Sequence, residues 1–222
     1  MPIFPKAKST TYGHWVLLVQ AVAFAITLAA ASPAAARTIR LVVLGDSLTA
    51  GLGLPPGQAF PDRLQAALRA KGWDVEVLNA GVSGDTAADG FQRYNWAVPA
   101  DADALIVELG ANDMLRGLKS EATEKALSAI LDRAHAARLP TLIAGMRAAP
   151  NLGAEYAREF NAIYPDLAKA HGVALYPFFL DGVAGDPKLN QADGMHPTAE
   201  GVEAIVERIT PSVEALLKQV RS

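Results

Sequence analysis

The chain has no cysteine, which excludes disulfides, thiol catalysis and thiolate metal sites. Aromatic residues are sparse at 7%, so no base-stacking platform is expected. Positive charge is also short, with 20 basic residues against 23 acidic ones. No basic stripe marks a nucleic-acid partner, and no basic amphipathic segment marks a grip on anionic lipid. Several signatures are missing. There is no Gly-x-Ser-x-Gly elbow, no Gly-Lys-Ser/Thr phosphate loop, and no third glycine at dinucleotide spacing after Gly51-Leu52-Gly53. No His-Glu-x-x-His occurs, and no further ligands cluster with Asp193 and His196. A metal site is therefore not expected.

What is present begins with an unlike first segment. Lys6 and Lys8 give a positive start, Trp15 to Ala31 carries no charge, and Ser32-Pro33-Ala34-Ala35-Ala36 ends in small residues. That order is a secretory signal, with cleavage expected after Ala36 and export to the periplasm. The alternative is an uncleaved anchor, since Trp15 to Ala31 lies at the lower edge of spanning length. Loss of residues 1–36 leaves 18 basic and 23 acidic residues, a net charge of −5. Residues 37–222 are then expected to form one domain without stable membrane anchoring, acting as a monomer.

From Thr38 on, apolar runs alternate with amphipathic patterns. Strands are predicted at Ile39 to Leu44, Val75 to Leu78, Ala104 to Leu109, Thr141 to Met146 and Val173 to Tyr176. Helices are predicted near Ala59 to Lys71, Thr86 to Trp96, Ser120 to Leu139, Ala154 to Ala170 and Thr198 to Val220. Such alternation implies an α/β fold with a parallel sheet between two helical layers. The flavodoxin-like order 2-1-3-4-5 is favoured for a five-stranded sheet of this kind. Ser120 and Thr198 are expected N-caps, Gly172 an expected helix end, and Pro165 and Pro211 are expected to kink or split their helices.

The chain is organised around its first strand. Five of the six residues Ile39 to Leu44 are apolar, and Gly45-Asp46-Ser47 follows. A serine just past a parallel strand's carboxyl end stands where open α/β sheets hold ligands. The second strand is followed by Ser83-Gly84-Asp85 and the third by Gly110-Ala111-Asn112-Asp113. Asp193-Gly194-Met195-His196-Pro197 comes late in the chain. A serine hydroxyl needs a base to become a nucleophile, and histidine, with a reference pKa of about 6.5, suits that task. A carboxylate three residues before the imidazole can fix its tautomer. Acyl transfer also needs donors for an oxyanion. Candidates are the Ser47 N–H, the Gly84 N–H and the Asn112 amide.

Gly45-Asp46-Ser47-Leu48, Gly84, Gly110-x-Asn112-Asp113 and Asp193-x-x-His196-Pro197 together resemble the four blocks of the SGNH (GDSL) hydrolases, from about Ile39 to Val220. Ser-Gly-Asp-Thr at 83–86, Val-Glu-Leu-Gly at 107–110 and Ala-Ile-Tyr-Pro-x-Leu-Ala-Lys at 162–169 resemble its periplasmic thioesterase I/lysophospholipase (arylesterase) subgroup. The resemblance implies a cofactor-free serine esterase acting on small acyl esters and thioesters. Ser47 would be nucleophile, His196 base and Asp193 its orienting acid, with Gly84 and Asn112 completing the oxyanion hole.

Plainer readings exist for each residue. Ser47 alone reads as a helix cap, His196 as a loop residue bonded to a carbonyl, and Asp193, Gly84 and Asn112 as turn residues. Their joint presence favours catalysis. Asp46 and Asp113 are expected to hold loops, and Glu108 to support the Asn112 loop. Met114, Leu115, Arg147 and Tyr156 are candidate substrate contacts, with Leu118, Phe160, Phe178 and Phe179 behind them. The rival functions are a carbohydrate acetylesterase of the same family and a non-catalytic periplasmic binding module.

Overall fold

The first strand, β1 (Ile39–Gly45), is buried along nearly its whole length, as its unbroken apolar run requires of an inner parallel strand. The computed structural model describes residues 1–3 and 37–220. The proposed signal segment falls almost entirely outside the described residues. After β1 come α1 (Ser47–Ala50), α2 (Phe60–Ala70), β2 (Val75–Gly81), α3 (Ala87–Ala97) and β3 (Ala104–Glu108). The chain continues through α4 (Ala111–Leu115), α5 (Ser120–Ala136), β4 (Thr141–Ala144) and a 3₁₀ turn (Pro150–Leu152). It ends with α6 (Ala154–His171), β5 (Ala174–Tyr176) and α7 (Ala199–Val220).

All strand pairs are parallel and the order is β2-β1-β3-β4-β5, as the alternation of strand and helix implied. Helices α2 and α7 pack together, and α5 packs on both α3 and α6, forming separate layers about the sheet. Register decides where the loops emerge. Gly45 pairs with Gly81 of β2 and with Glu108 of β3, so three strands end level and their loops rise from one edge.

Two glycines let α1 sit against that edge. A Cβ on Gly45 would meet Thr49 Oγ1 at 2.0 Å, and one on Gly81 would meet the Ala50 backbone nitrogen at 2.4 Å. Any larger residue would push the Ser47 turn away from the sheet.

Three local expectations are corrected. Lys119, not Ser120, occupies the N-cap of α5. Ser120 is instead the first helical residue, and its buried hydroxyl has no partner among the described residues. The helix start is tethered by tertiary contact, since Thr123 donates to Asp113 at 3.1 Å. The same helix stops at Ala136 rather than Leu139. Arg138 turns left-handed at φ 54, and the Leu139 N–H bonds back to the Ala134 carbonyl.

Pro165 and Pro211 split nothing, for each lies inside an unbroken helix. An interior proline costs about 3 kcal/mol or more. Buried Ile163, Tyr164 and Leu167 flank the first, and Ile209, Val213 and Leu216 the second. Burial at roughly 1.5–3 kcal/mol for each large apolar side chain outweighs that loss. Among the described residues no helix is long and apolar enough to cross a membrane.

Candidate active site

Asp46 caps α1, and its Oδ1 accepts the Leu48 N–H at 3.0 Å. Ser47 is therefore the first helical residue, and its N–H has no intrahelical acceptor. From α3, the Arg93 guanidinium donates to the Gly45 carbonyl at 2.8 Å and pairs with Asp85 beyond β2. From β3, the wholly buried Glu108 accepts the Thr49 hydroxyl at 2.7 Å. Glu108 thus supports the Ser47 helix, not the Asn112 loop as expected. Burial, reinforced by the Asp46 carboxylate, pushes its carboxyl well above the ordinary range.

Ser47 Oγ lies 2.9 Å from His196 Nε2, although 149 residues separate them. The loop bearing His196 organises itself. Asn190 bridges Pro197, and the Gln191 N–H donates to the His196 carbonyl at 2.7 Å. The Gln191 amide ties that loop to the turn after α1 through the Leu52 and Pro197 carbonyls. Asp193 Oδ1 accepts the Met195 and His196 N–H groups at 2.9 and 3.0 Å, while Oδ2 lies 2.6 Å from His196 Nδ1. The backbone N–H of His196, then that of Met195, holds the Asp193 carboxyl at about 2. An ionised Asp193 accepts a hydrogen bond from Nδ1–H, which leaves the Nε2 lone pair facing the serine hydroxyl.

On the other side of Ser47, Asn112 Nδ2 donates to Asp46 Oδ2 and to the Asp85 carbonyl, both at 3.0 Å. The amide nitrogen sits where the loops after β1, β2 and β3 converge. Gly84 takes φ +89, and Arg116 donates to its carbonyl at 2.6 Å. Asp113 accepts the Ala87 N–H at 2.8 Å, joining the β3 loop to the start of α3. Burial pushes the Asp46 carboxyl up to about 6, against the opposing pull of the Leu48 and Asn112 hydrogen bonds.

These groups open into a cleft of about 540 Å³. Ser47, Gly84, Asn112 and His196 line it, as do Met114, Leu115, Arg147 and Phe178. Tyr156 does not line it; its hydroxyl donates to the Leu118 carbonyl and its ring stacks on Phe160. Phe160 and Phe179 are core residues.

Sequence reading missed Arg93, Thr49, Arg116 and Gln191. Only Arg93 left a signal, as a charge on the same buried face of α3 as Ala87, Gly90 and Tyr94. A second Ser–His–Asp set exists, with His171 Nε2 3.0 Å from Ser128 Oγ and Nδ1 3.4 Å from Asp132. Ser128 lies within α5, where its N–H serves the helix ladder and cannot bind an oxyanion. Among the described residues no group of three or more His, Asp or Glu is arranged to hold a metal.

A parallel sheet with a hydroxyl, an imidazole, an ionised acid and amide donors at its carboxyl edge defines a hydrolase equipped for acyl transfer. The chain belongs to the GDSL-like Lipase/Acylhydrolase family, whose model matches residues 43–204, the family its four sequence blocks resemble. It is 38% identical over 185 residues to Esterase TesA of Pseudomonas aeruginosa, covering 83% of this chain and 91% of that protein. It is 36% identical over 184 residues to Thioesterase 1/protease 1/lysophospholipase L1 of Escherichia coli, covering 82% and 87%. The crystal structure of AlinE4, an SGNH-hydrolase family esterase, matches with a TM-score of 0.69 at 46% identity, covering 82% of this chain and 97% of that one.

Proposed function

We propose that this carboxylic ester hydrolase acts on acyl esters and thioesters through an acyl-enzyme intermediate on Ser47. The observation that carries the reading is the unbroken relay from Ser47 Oγ through His196 to Asp193, at 2.9 and 2.6 Å. The Ser47 oxygen attacks the carbonyl carbon while His196 Nε2 takes its proton. The carbonyl π electrons move onto oxygen, where the Ser47 and Gly84 N–H groups receive the charge, joined by the Asn112 amide as one of its N–H groups turns from Asp46 or the Asp85 carbonyl to the oxyanion. Collapse expels the alcohol or thiol, protonated by His196. Water then attacks the acyl-serine with His196 again as base, releasing the carboxylic acid and restoring Ser47. No step calls for a metal or cofactor.

Asp193 orients the imidazole and stabilises its charged form. The cleft is complete within one chain, which supports a monomer as the working unit. The segment 1–36 supports export with cleavage after Ala36, giving a periplasmic enzyme. Met114, Leu115, Met146 and Phe178 line the cleft, an apolar wall that suits acyl chains longer than acetyl. Each buried methylene is worth about 0.8 kcal/mol. Purified residues 37–222 should therefore hydrolyse p-nitrophenyl octanoate at least about tenfold better in kcat/KM than the acetate. The reverse preference, joined to turnover of acetylated sugars, would replace this reading with a carbohydrate acetylesterase.

A further inference from the structure

Burying a cation is costly, yet Arg93 is buried, the one Lys or Arg that is so among the described residues. A buried ion pair gains in attraction about what its desolvation costs, so apolar side chains would serve stability as well. What an apolar pair would lose is direction. A guanidinium is a planar, rigid fork that holds two acceptors at fixed angles, which a lysine ammonium does not.

Arg93 turns that fork toward the loops that carry Ser47 and Gly84. Its Nη2 donates to the Gly45 carbonyl at 2.8 Å, and its Nε pairs with the Asp85 carboxylate. Gly45 stands two residues before Ser47, and the same carbonyl accepts the Val82 N–H at 3.1 Å. Asp85 directly follows Gly84, and its own carbonyl accepts an Asn112 N–H at 3.0 Å. The segments bearing all three oxyanion donors therefore meet, directly or through Asp85, on one side chain. Helix α3 gives that side chain a firm base. Thr86 and Asp89 close a capping box at its start, and the Ala87 N–H donates to Asp113 in the loop after β3.

We infer that Arg93 is a positioning residue of the oxyanion hole, setting the spacing of the Ser47, Gly84 and Asn112 donors from behind. The inference rests on the esterase reading and deepens it. Arg93 is not among the residues lining the cleft, so it acts through the donors and not on the substrate. Those donors answer charge that develops only in the transition state. Displacing them lowers kcat while leaving substrate binding and the His196 proton transfer in place.

The test measures p-nitrophenyl octanoate hydrolysis by Arg93→Lys and by the uncharged pair Arg93→Gln with Asp85→Asn, which leaves no buried charge unpaired. Urea titration fixes the folded fraction, so rates are read per folded molecule. Removing one donor outright costs on the order of 10²–10³-fold, and displaced donors should cost both variants about 10–10²-fold in kcat with KM nearly constant. The inhibition constant of octylboronic acid, whose tetrahedral serine adduct sets an oxygen in the hole, should rise by a similar factor. The acid limb of kcat/KM, which reports His196, should stay where it is in the wild type. Wild-type kcat in both variants overturns the inference. So does a loss carried by KM or by a displaced acid limb, or a lower kcat with octylboronic acid binding unchanged. Failure of the wild type to hydrolyse the ester would instead overturn the esterase reading.

Discussion

Two aspartates stand near Ser47 and are held in opposite ways. Asp46 is buried, and burial lifts its carboxyl to about 6. Asp193 is more open, with 39% of its side chain accessible, and neighbouring N–H donors hold it at about 2. Both accept a backbone N–H two residues on, Leu48 for Asp46 and Met195 for Asp193. The second oxygen makes the difference. Asp193 spends it on His196, three residues along the chain, whereas Asp46 spends it on Asn112, 66 residues away. Asp193 sits in a self-contained turn, whereas Asp46 braces two loops distant in sequence.

Exchanging each for its amide separates these tasks. In Asp193→Asn the amide oxygen stays with the Met195 and His196 N–H groups, which turns the NH₂ toward His196 Nδ1. The ring then takes the wrong tautomer, with a proton on Nε2 facing Ser47. We expect kcat to fall on the order of 10⁴-fold with little change in urea midpoint. A loss under tenfold would mean that Asp193 does not set the ring.

Asn112→Ala comes next, removing the side-chain donor while leaving the relay whole. Its kcat should drop on the order of 10²–10³-fold with KM nearly constant. A rise in KM alone would reassign Asn112 to substrate binding.

Asp46→Asn has the smallest catalytic effect, about tenfold, because two amide NH₂ groups would face each other until Asn112 rotates away from the oxyanion. Its distinctive sign is in stability. The Asp46 carboxyl binds its proton near pH 6 when folded and near its ordinary 3.8 when unfolded. Between those values the folded state holds more protons, so the contribution is fully present below 3.8 and lost as pH rises through about 6. Up to about 3 kcal/mol is involved. Urea titrations from pH 4 to 7 should show this decline in the wild type and a shallower one in Asp46→Asn. Equal slopes would place the titration elsewhere, with buried Glu108 the first suspect.

The same contrast between near and distant contacts explains how much could be read in advance. The strand order followed from regular alternation, and Asp193 and His196 sit close enough in sequence for their pairing to be legible. Ser47 and Asn112 were legible as small polar residues ending apolar strands. The braces were not, because Arg93 to Gly45, Thr49 to Glu108 and Arg116 to Gly84 join residues 48, 59 and 32 positions apart. No local pattern encodes such pairs. Tyr156 misled because an aromatic at helical spacing looks alike whether it faces a cleft or, as here, a neighbouring phenylalanine.

The central claim is that His196 activates Ser47 for attack on acyl carbon. Reaction with a fluorophosphonate, followed by peptide mass spectrometry, tests it most directly. The account predicts one adduct, on the peptide containing Ser47, absent in Ser47→Ala and formed at least about 10³-fold more slowly in His196→Ala. An adduct on another serine, or labelling at full rate without His196, would contradict it.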